Sequence, residues 1–342
     1  MTAALSSMEL LATPSMMTES LAAALASGLV PNLDAALWVR TGTTEPSGMR
    51  VVDVVPMNGI GVRVLPDRGL DLGQAWFAGT PLAWLSEMGE RAPLEELRGM
   101  AWGGAFGGGL LTTCGLRNVG MPSEGHGLHG TFSHLRASDV IISRSTHGDG
   151  SIQVSGRLTD NEEDPELTVD RTITTWAGTG RIEITDVTTN VGTSVADAPL
   201  LYHFNFGWPV WSGSASLELD PIETVARDQE SAAALDHWTF PQPTGTTPER
   251  VLEHRVHSEG GVARARVSNP DCAVEITISW NVDQLPLVNQ WLDANPGMAV
   301  LGVEPANCTT RGRAFERTNG TMPTIEPGQP RTTSLVVEAS SS

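Results

Sequence analysis

The chain of 342 residues carries eight histidines and 40 acidic residues but no lysine, so all 21 basic residues are arginines. Without lysine there is no Schiff base, no pyridoxal-phosphate lysine and no Walker-type phosphate lysine. Acid–base work falls to His, Asp, Glu, Cys or the single tyrosine, Tyr202. Three stretches place such residues usefully. In His126-Gly-Leu-His129-Gly130, two histidines three apart flank glycine, an arrangement in which both can face one cleft and a ligand can come close to the backbone. In Leu201-Tyr-His203-Phe-Asn205-Phe-Gly-Trp208-Pro209, one histidine stands among aromatic rings that suit a pocket wall for a flat or sugar-like face. In Val300-Leu-Gly-Val-Glu304-Pro-Ala-Asn307-Cys308, a carboxylate ends an apolar strand, with Pro305 expected to break the strand just beyond it. A carboxylate partly stripped of water in this way suits a general base. A fourth candidate is the charged turn Asp67-Arg68-Gly69-Leu70-Asp71. Plainer readings stand beside each: loop histidines bonded to carbonyls, a satisfied core His203, an ion pair of Glu304 with Arg311 or Arg313, and a solvated turn.

The elements that must hold these residues read as strands. Apolar and polar residues alternate through Arg50–Val55, Gly61–Leu65, Ser151–Leu158, Thr168–Thr175, Arg181–Val187, Val262–Val267, Ala273–Trp280, Ala299–Glu304 and Thr332–Glu338. Turn residues separate them, as at Pro56–Gly59, Asn269–Asp271 and Glu326–Pro330. Only Thr18–Gly28 reads as a longer helix, with Thr18 as N-cap, and short helical pieces are expected at Leu94–Arg98 and Val282–Leu285. This pattern predicts a mainly β protein, a large antiparallel sandwich or barrel with few short helices. Gly103–Gly109 lacks the G-x-G-x-x-G spacing of a dinucleotide site. One domain is expected over residues 1–342, with a helical extension at about 1–45, a long loop at Pro241–Pro248 and a frayed tail at Ala339–Ser342.

Composition narrows the partners. A hydrophobic share of 40% with mean hydropathy -0.10 describes a globular chain with ample core, and no run reaches the ~18 apolar residues of a membrane helix. A net charge of -19 and a pI near 4.7 argue against nucleic acid and anionic membranes as partners. Cys114, Cys272 and Cys308 are odd in number and widely spaced, and no basic residue precedes the first apolar stretch. Reduced thiols in the cytoplasm are the expectation.

Taken together, six ordered stretches resemble the aldose 1-epimerase-like (galactose mutarotase-like) superfamily, most closely its DUF4432 branch. They are Leu65-Pro-Asp-Arg-Gly-Leu-Asp71, Pro81-Leu-Ala-Trp84, Gly108-Gly-Leu-Leu-Thr-Thr-Cys-Gly-Leu116, Gly127-Leu-His-Gly130, Tyr202-His-Phe-Asn-Phe-Gly207 and Gly302-Val-Glu-Pro-Ala-Asn307, spanning about residues 50–310. The resemblance implies a β-supersandwich with a sugar cleft. It implies that Glu304 is the base on the anomeric hydroxyl, His203 the acid at the ring oxygen and His129 a supporting histidine. It further implies that Arg68 holds sugar hydroxyls, with Asp71 the candidate for the family's aspartate. His126 has no counterpart in that pattern. With Asn118, Asn205, Trp208 and Asn307 it completes the candidate sugar contacts. The family's Asn-His-x-Tyr-Phe-Asn is here Tyr-His-Phe-Asn-Phe.

The leading functional reading is a sugar epimerase or mutarotase that needs no cofactor, acting on a small-molecule sugar with Glu304 and His203 on opposite sides of its ring. A carbohydrate-binding or sensing protein is the second. The third is a metal-assisted isomerase or lyase with His126, His129, His203 and Glu304 as ligands.

Overall fold

A computed structural model describes residues 21, 23–24, 26–145, 149–161, 164–232, 235 and 248–341. The alternating segments form two large antiparallel sheets. The first has eleven strands. Ten of them lie in the order Leu37–Thr43, Arg50–Pro56, Gly61–Leu65, Asp71–Phe77, Leu111–Gly115, Leu200–Phe206, Val300–Ala306, Leu287–Asp293, Arg250–Val256 and Pro221–Ala226. The second has eight: Ser216–Glu218, Val262–Asn269, Val274–Asn281, Pro330–Ser341, Arg181–Asn190, Leu167–Trp176, Ser151–Asp160 and Ser138–Arg144. Every strand expected from alternation is present.

The second sheet is half-buried, and its sequence shows why. Along Leu167–Trp176 burial alternates residue by residue, with Val169 and Ile173 turned to the core. The middle of the first sheet behaves differently. Leu200–Phe206 and Val300–Ala306 are buried at every position because both of their faces are covered. Tyr202, Phe204, Phe206, Leu301 and Val303 join the main core with the second sheet. On the other face, Leu201, Val300 and Ala306 belong to a separate cluster with Trp84, Trp102, Phe106 and Trp291. His203 and Glu304 alternate with the core residues and so lie on this outer face.

A buried ion cluster ties the sheets together. Arg171 of the second sheet donates to Asp186 at 2.6 and 2.8 Å, to Asp71 of the first sheet at 2.7 Å and to Thr113 at 3.0 Å. The Tyr202 hydroxyl donates to Asp186 at 2.6 Å. Removing one partner would leave an uncompensated buried charge, at a cost of about 3–5 kcal/mol.

Some expected elements differ. Leu21, Ala23, Ala24 and Ala26 are helical and Gly28 follows at φ 76°, but the proposed cap Thr18 lies outside the described residues. So does the Pro241–Pro248 loop, apart from Pro248. Leu94–Arg98 is irregular, its Leu97 carbonyl packed against Gly127. Val282–Leu285 is a turn, begun by the Asn281 side chain accepting from the Asp283 N–H at 2.7 Å. The short helices lie instead at Ala101–Gly104, Gln229–Ala232 and Arg313–Asn319. Ala339 is not frayed but buried in the last strand, donating to the Gly180 carbonyl at 2.6 Å. Among the described residues no helix is long and apolar enough to cross a membrane.

Candidate active site

Strand register builds the site. Leu201 pairs with Ala306 and Phe204 with Val303, which sets His203 directly opposite Glu304. Pro305 does not end the strand. It lies inside Val300–Ala306 and pairs with Val288. Lacking an N–H, it cannot donate to Leu200–Phe206, and the paired positions skip from Ala306 to Val303. The gap falls beside the His203–Glu304 pair. The His203 Nε2 and Glu304 Oε1 atoms are 3.0 Å apart, and both side chains are almost wholly buried. Among the described residues His203 Nδ1 has no hydrogen-bond partner, and Glu304 Oε1 has none besides the His203 Nε2 contact. The two groups are therefore in contact, not on opposite walls of a ring-wide gap. Glu304 makes no ion pair with Arg311 or Arg313, because Arg311 pairs with Glu253 and Arg313 with Glu124 and Asp197.

The pair floors a cleft of about 240 Å³ walled by aromatic rings. Trp291 and Phe106 stand 5.2 and 5.3 Å from the His203 ring, and Trp102 stacks on Phe106 at 4.7 Å. At the rim, Arg227 pairs with Glu249 at 2.8 Å, and Glu249 accepts from the Trp291 indole at 3.0 Å. One ion pair thus fixes the tilt of the wall.

His129 enters from the loop after Leu111–Gly115. Its φ of 57° is unusual for a non-glycine residue, and hydrogen bonds hold it there. Its N–H donates to Gly120 at 3.0 Å, and its carbonyl accepts from Gly115 at 2.9 Å. Gly120 in turn donates to His129 Nδ1 at 3.3 Å. With Nδ1 accepting, the neutral ring carries its hydrogen on Nε2 and can only donate from that nitrogen. Burial, then nearby His203 and Arg227, push its pKa down to about 3. His129 is a fixed neutral donor, 6.1 Å from the His203 ring.

The other expected contacts go elsewhere. His126 turns back on Ser123 and lines a different cavity, so the two histidines do not share a cleft. That division also splits the metal set, and among the described residues no three His, Cys, Asp or Glu side chains converge as ligands would. Arg68 is buried beside a small separate cavity, donating to the carbonyls of Arg91 and Ala105, with burial pushing it down to about 10. Asp71 is taken up by Arg171 and Thr113. Asn118 Nδ2 donates to the carbonyls of Gly120, Met121 and Gly127, clasping the His129 loop. Asn205 bonds Gly109 and His203 carbonyls, and Asn307 bonds Leu200 and Ala198. Trp208 is 76% exposed, away from the cleft lining. Phe204 and Phe206 face the main core, so the aromatic wall comes from Trp102, Phe106 and Trp291 instead. Trp102 and Phe106 lie four apart across the glycine-rich Gly103–Gly109 stretch, the one sequence signal that marks them.

Residues 46–339 match the domain of unknown function DUF4432. The chain belongs to this family. Its fold is galactose mutarotase-like. A candidate aldose 1-epimerase from Klebsiella pneumoniae subsp. pneumoniae MGH 78578 superposes with TM-score 0.81 at 20% identity, covering 89% of this chain and 88% of that one. A galactose mutarotase-like protein from Clostridium acetobutylicum gives 0.61 at 12% identity over 90% and 100% of the chains. A galactose mutarotase related enzyme from Lactobacillus acidophilus gives 0.55 at 12% over 89% and 97%. At such identities the likeness establishes the fold of this DUF4432 protein. No curated protein matches the chain.

Proposed function

We propose that this DUF4432 protein is an isomerase that interconverts forms of a free sugar at its anomeric carbon by general acid–base catalysis. The observation that carries the reading is the buried His203–Glu304 pair, 3.0 Å apart beneath an aromatic wall. Opening a hemiacetal ring needs a proton removed from the C1 hydroxyl and one delivered to the ring oxygen. Both oxygens are bonded to C1, so base and acid must be neighbours, as these two are. Glu304 takes the hydroxyl proton as the C1–ring oxygen bond breaks and the C1 carbonyl forms. The step requires His203 to enter as the imidazolium and to give its proton to the leaving ring oxygen. Rotation about the C1–C2 bond turns the other carbonyl face to that oxygen. Closure then runs the same transfers backward, leaving the pair as it began with the opposite anomer formed. Trp291 and Phe106 offer apolar faces to the sugar's C–H surface. Donation from His129 Nε2 suits a sugar oxygen.

The test is NMR saturation exchange between anomers across a panel of free aldoses and uronic acids. Glu304→Gln keeps shape but takes no proton, and exchange is expected to fall by a factor on the order of 10²–10⁴ with binding retained. His203→Asn is expected to act alike, and the double variant to be barely worse than either single. Near wild-type exchange in Glu304→Gln removes Glu304 from the mechanism. Binding without exchange in the native protein replaces catalysis with a sensing role.

A further inference from the structure

We propose that Asn289 is a positioning residue for Glu304, its side-chain amide holding the carboxylate toward His203 and separating it from Glu253. The proposal rests on the reading of Glu304 as the base. Register supplies the placement, since Asn289 lies directly opposite Glu304 on one side and Glu253 on the other. Trp291 and Asp293, two and four residues on along the same strand, line the cleft, so alternation puts Asn289 on that face. A row of side chains follows across four strands: His203, Glu304, Asn289, Glu253. Glu253 is capped at the far end by Arg311 at 2.8 Å.

Asn289 is fully buried, yet among the described residues neither its Nδ2 nor its Oδ1 has a hydrogen-bond partner. Glu304 Oε1 beside it has only the His203 Nε2 contact at 3.0 Å. An unpartnered buried amide is destabilising, and an apolar residue of similar size would avoid that cost. Opposed residues on neighbouring strands have Cβ atoms about 4.5–5.5 Å apart, and the terminal torsions of Asn and Glu are soft. A small rotation therefore brings an Nδ2 hydrogen to the carboxylate. The neutral amide also keeps two carboxylates from standing side by side. Burial already pushes Glu253 upward against the pull of Arg311.

Other titratable or charged groups around Glu304 are His203 across the strand, His129 from the loop, and Arg227, Glu249 and Asp293 at the rim. Cys114 feels the Glu304 charge from the floor. None of these is altered by the test. In Asn289→Leu, kcat is expected to fall about tenfold with KM little changed, and the acidic limb of the pH–rate profile to move up, because the carboxylate loses a donor. Asn289→Asp is expected to move it further. The carboxyl titration of Glu304, followed by infrared difference spectroscopy and assigned with Glu304→Gln, should move up in the same variants. This readout does not need turnover, so an inactive native protein sinks the isomerase reading and leaves this one to be decided. A merely structural Asn289 would change Tm and leave the titration where it was. An unmoved midpoint in folded Asn289→Leu overturns the proposal.

Discussion

Gly302 governs how closely the acid and base can approach. It lies between Val300 and Glu304 on the cleft face, and a Cβ there would stand 2.6 Å from Glu304 Oε1 and 3.0 Å from His203 Cε1. The third neighbour, Trp291 Cβ, would be 3.1 Å away. Real Cβ atoms do not sit 2.6 Å from an oxygen, so Glu304 must turn aside. Gly302→Ala is accordingly expected to cost about 1–3 kcal/mol of stability through overpacking. It should cut anomer exchange on the order of 10²-fold, because proton transfer depends on hydrogen-bond reach. Tm and exchange rate measured together check this. A variant with native exchange would show that the 3.0 Å contact is not needed.

At the level of elements, the sequence showed most clearly the strands whose two faces differ in polarity, and was least informative where a strand has no such contrast. Leu167–Trp176 alternates and was legible, whereas Leu287–Asp293 is buried on both faces and carries no period. That missed strand contributes Trp291, Asp293 and Asn289. His203, Glu304 and His129, which the structure brings to one cleft, each sit in a short stretch of distinctive composition. Arg68 and Asp71 are expected sugar contacts by the resemblance, and Asn118, Asn205 and Asn307 stand beside the motifs, but in the structure their bonds go to backbone, to Thr113 and to Arg171. Asn118 is the clearest case. Its three bonds, to the carbonyls of Gly120, Met121 and Gly127, fold the loop that carries His129. At about 1 kcal/mol each, Asn118→Ala should destabilise the protein by roughly 2–4 kcal/mol. Amide exchange should quicken at residues 119–130 before it does in the sheets. Uniform loss of protection across the molecule would contradict a clasp that acts on one loop.

The whole molecule should respond to acid through its buried histidines. Burial is the main reason that His129 and His134 are pushed down to about 3 and His254 to about 4. An unfolded histidine titrates near 6.5. Between those values the unfolded chain binds protons that the folded chain refuses, so unfolding free energy rises with pH. The stability these three confer is present above about pH 6.5 and is lost as pH falls from there toward 3–4. Asp71 and Glu253 work in the opposite sense, because burial raises both and the folded state then favours their protonated forms. Asp67, Glu124 and Asp228 are lowered from carboxylate values already below this window, so their contribution is lost only at more acid pH. Between about pH 6.5 and 5, three histidines therefore oppose two carboxyls, and Tm should fall on acidification. His134 lies outside the candidate cleft, with its Nδ1 on Ser133 Oγ at 3.2 Å. His134→Asn removes one titrating group and should reduce the pH slope of Tm by roughly a third of the histidine share. Differential scanning calorimetry from pH 5 to 7 on both proteins decides it. A flat Tm in the native chain, or an equal slope in the variant, would mean that the buried histidines do not set its acid sensitivity.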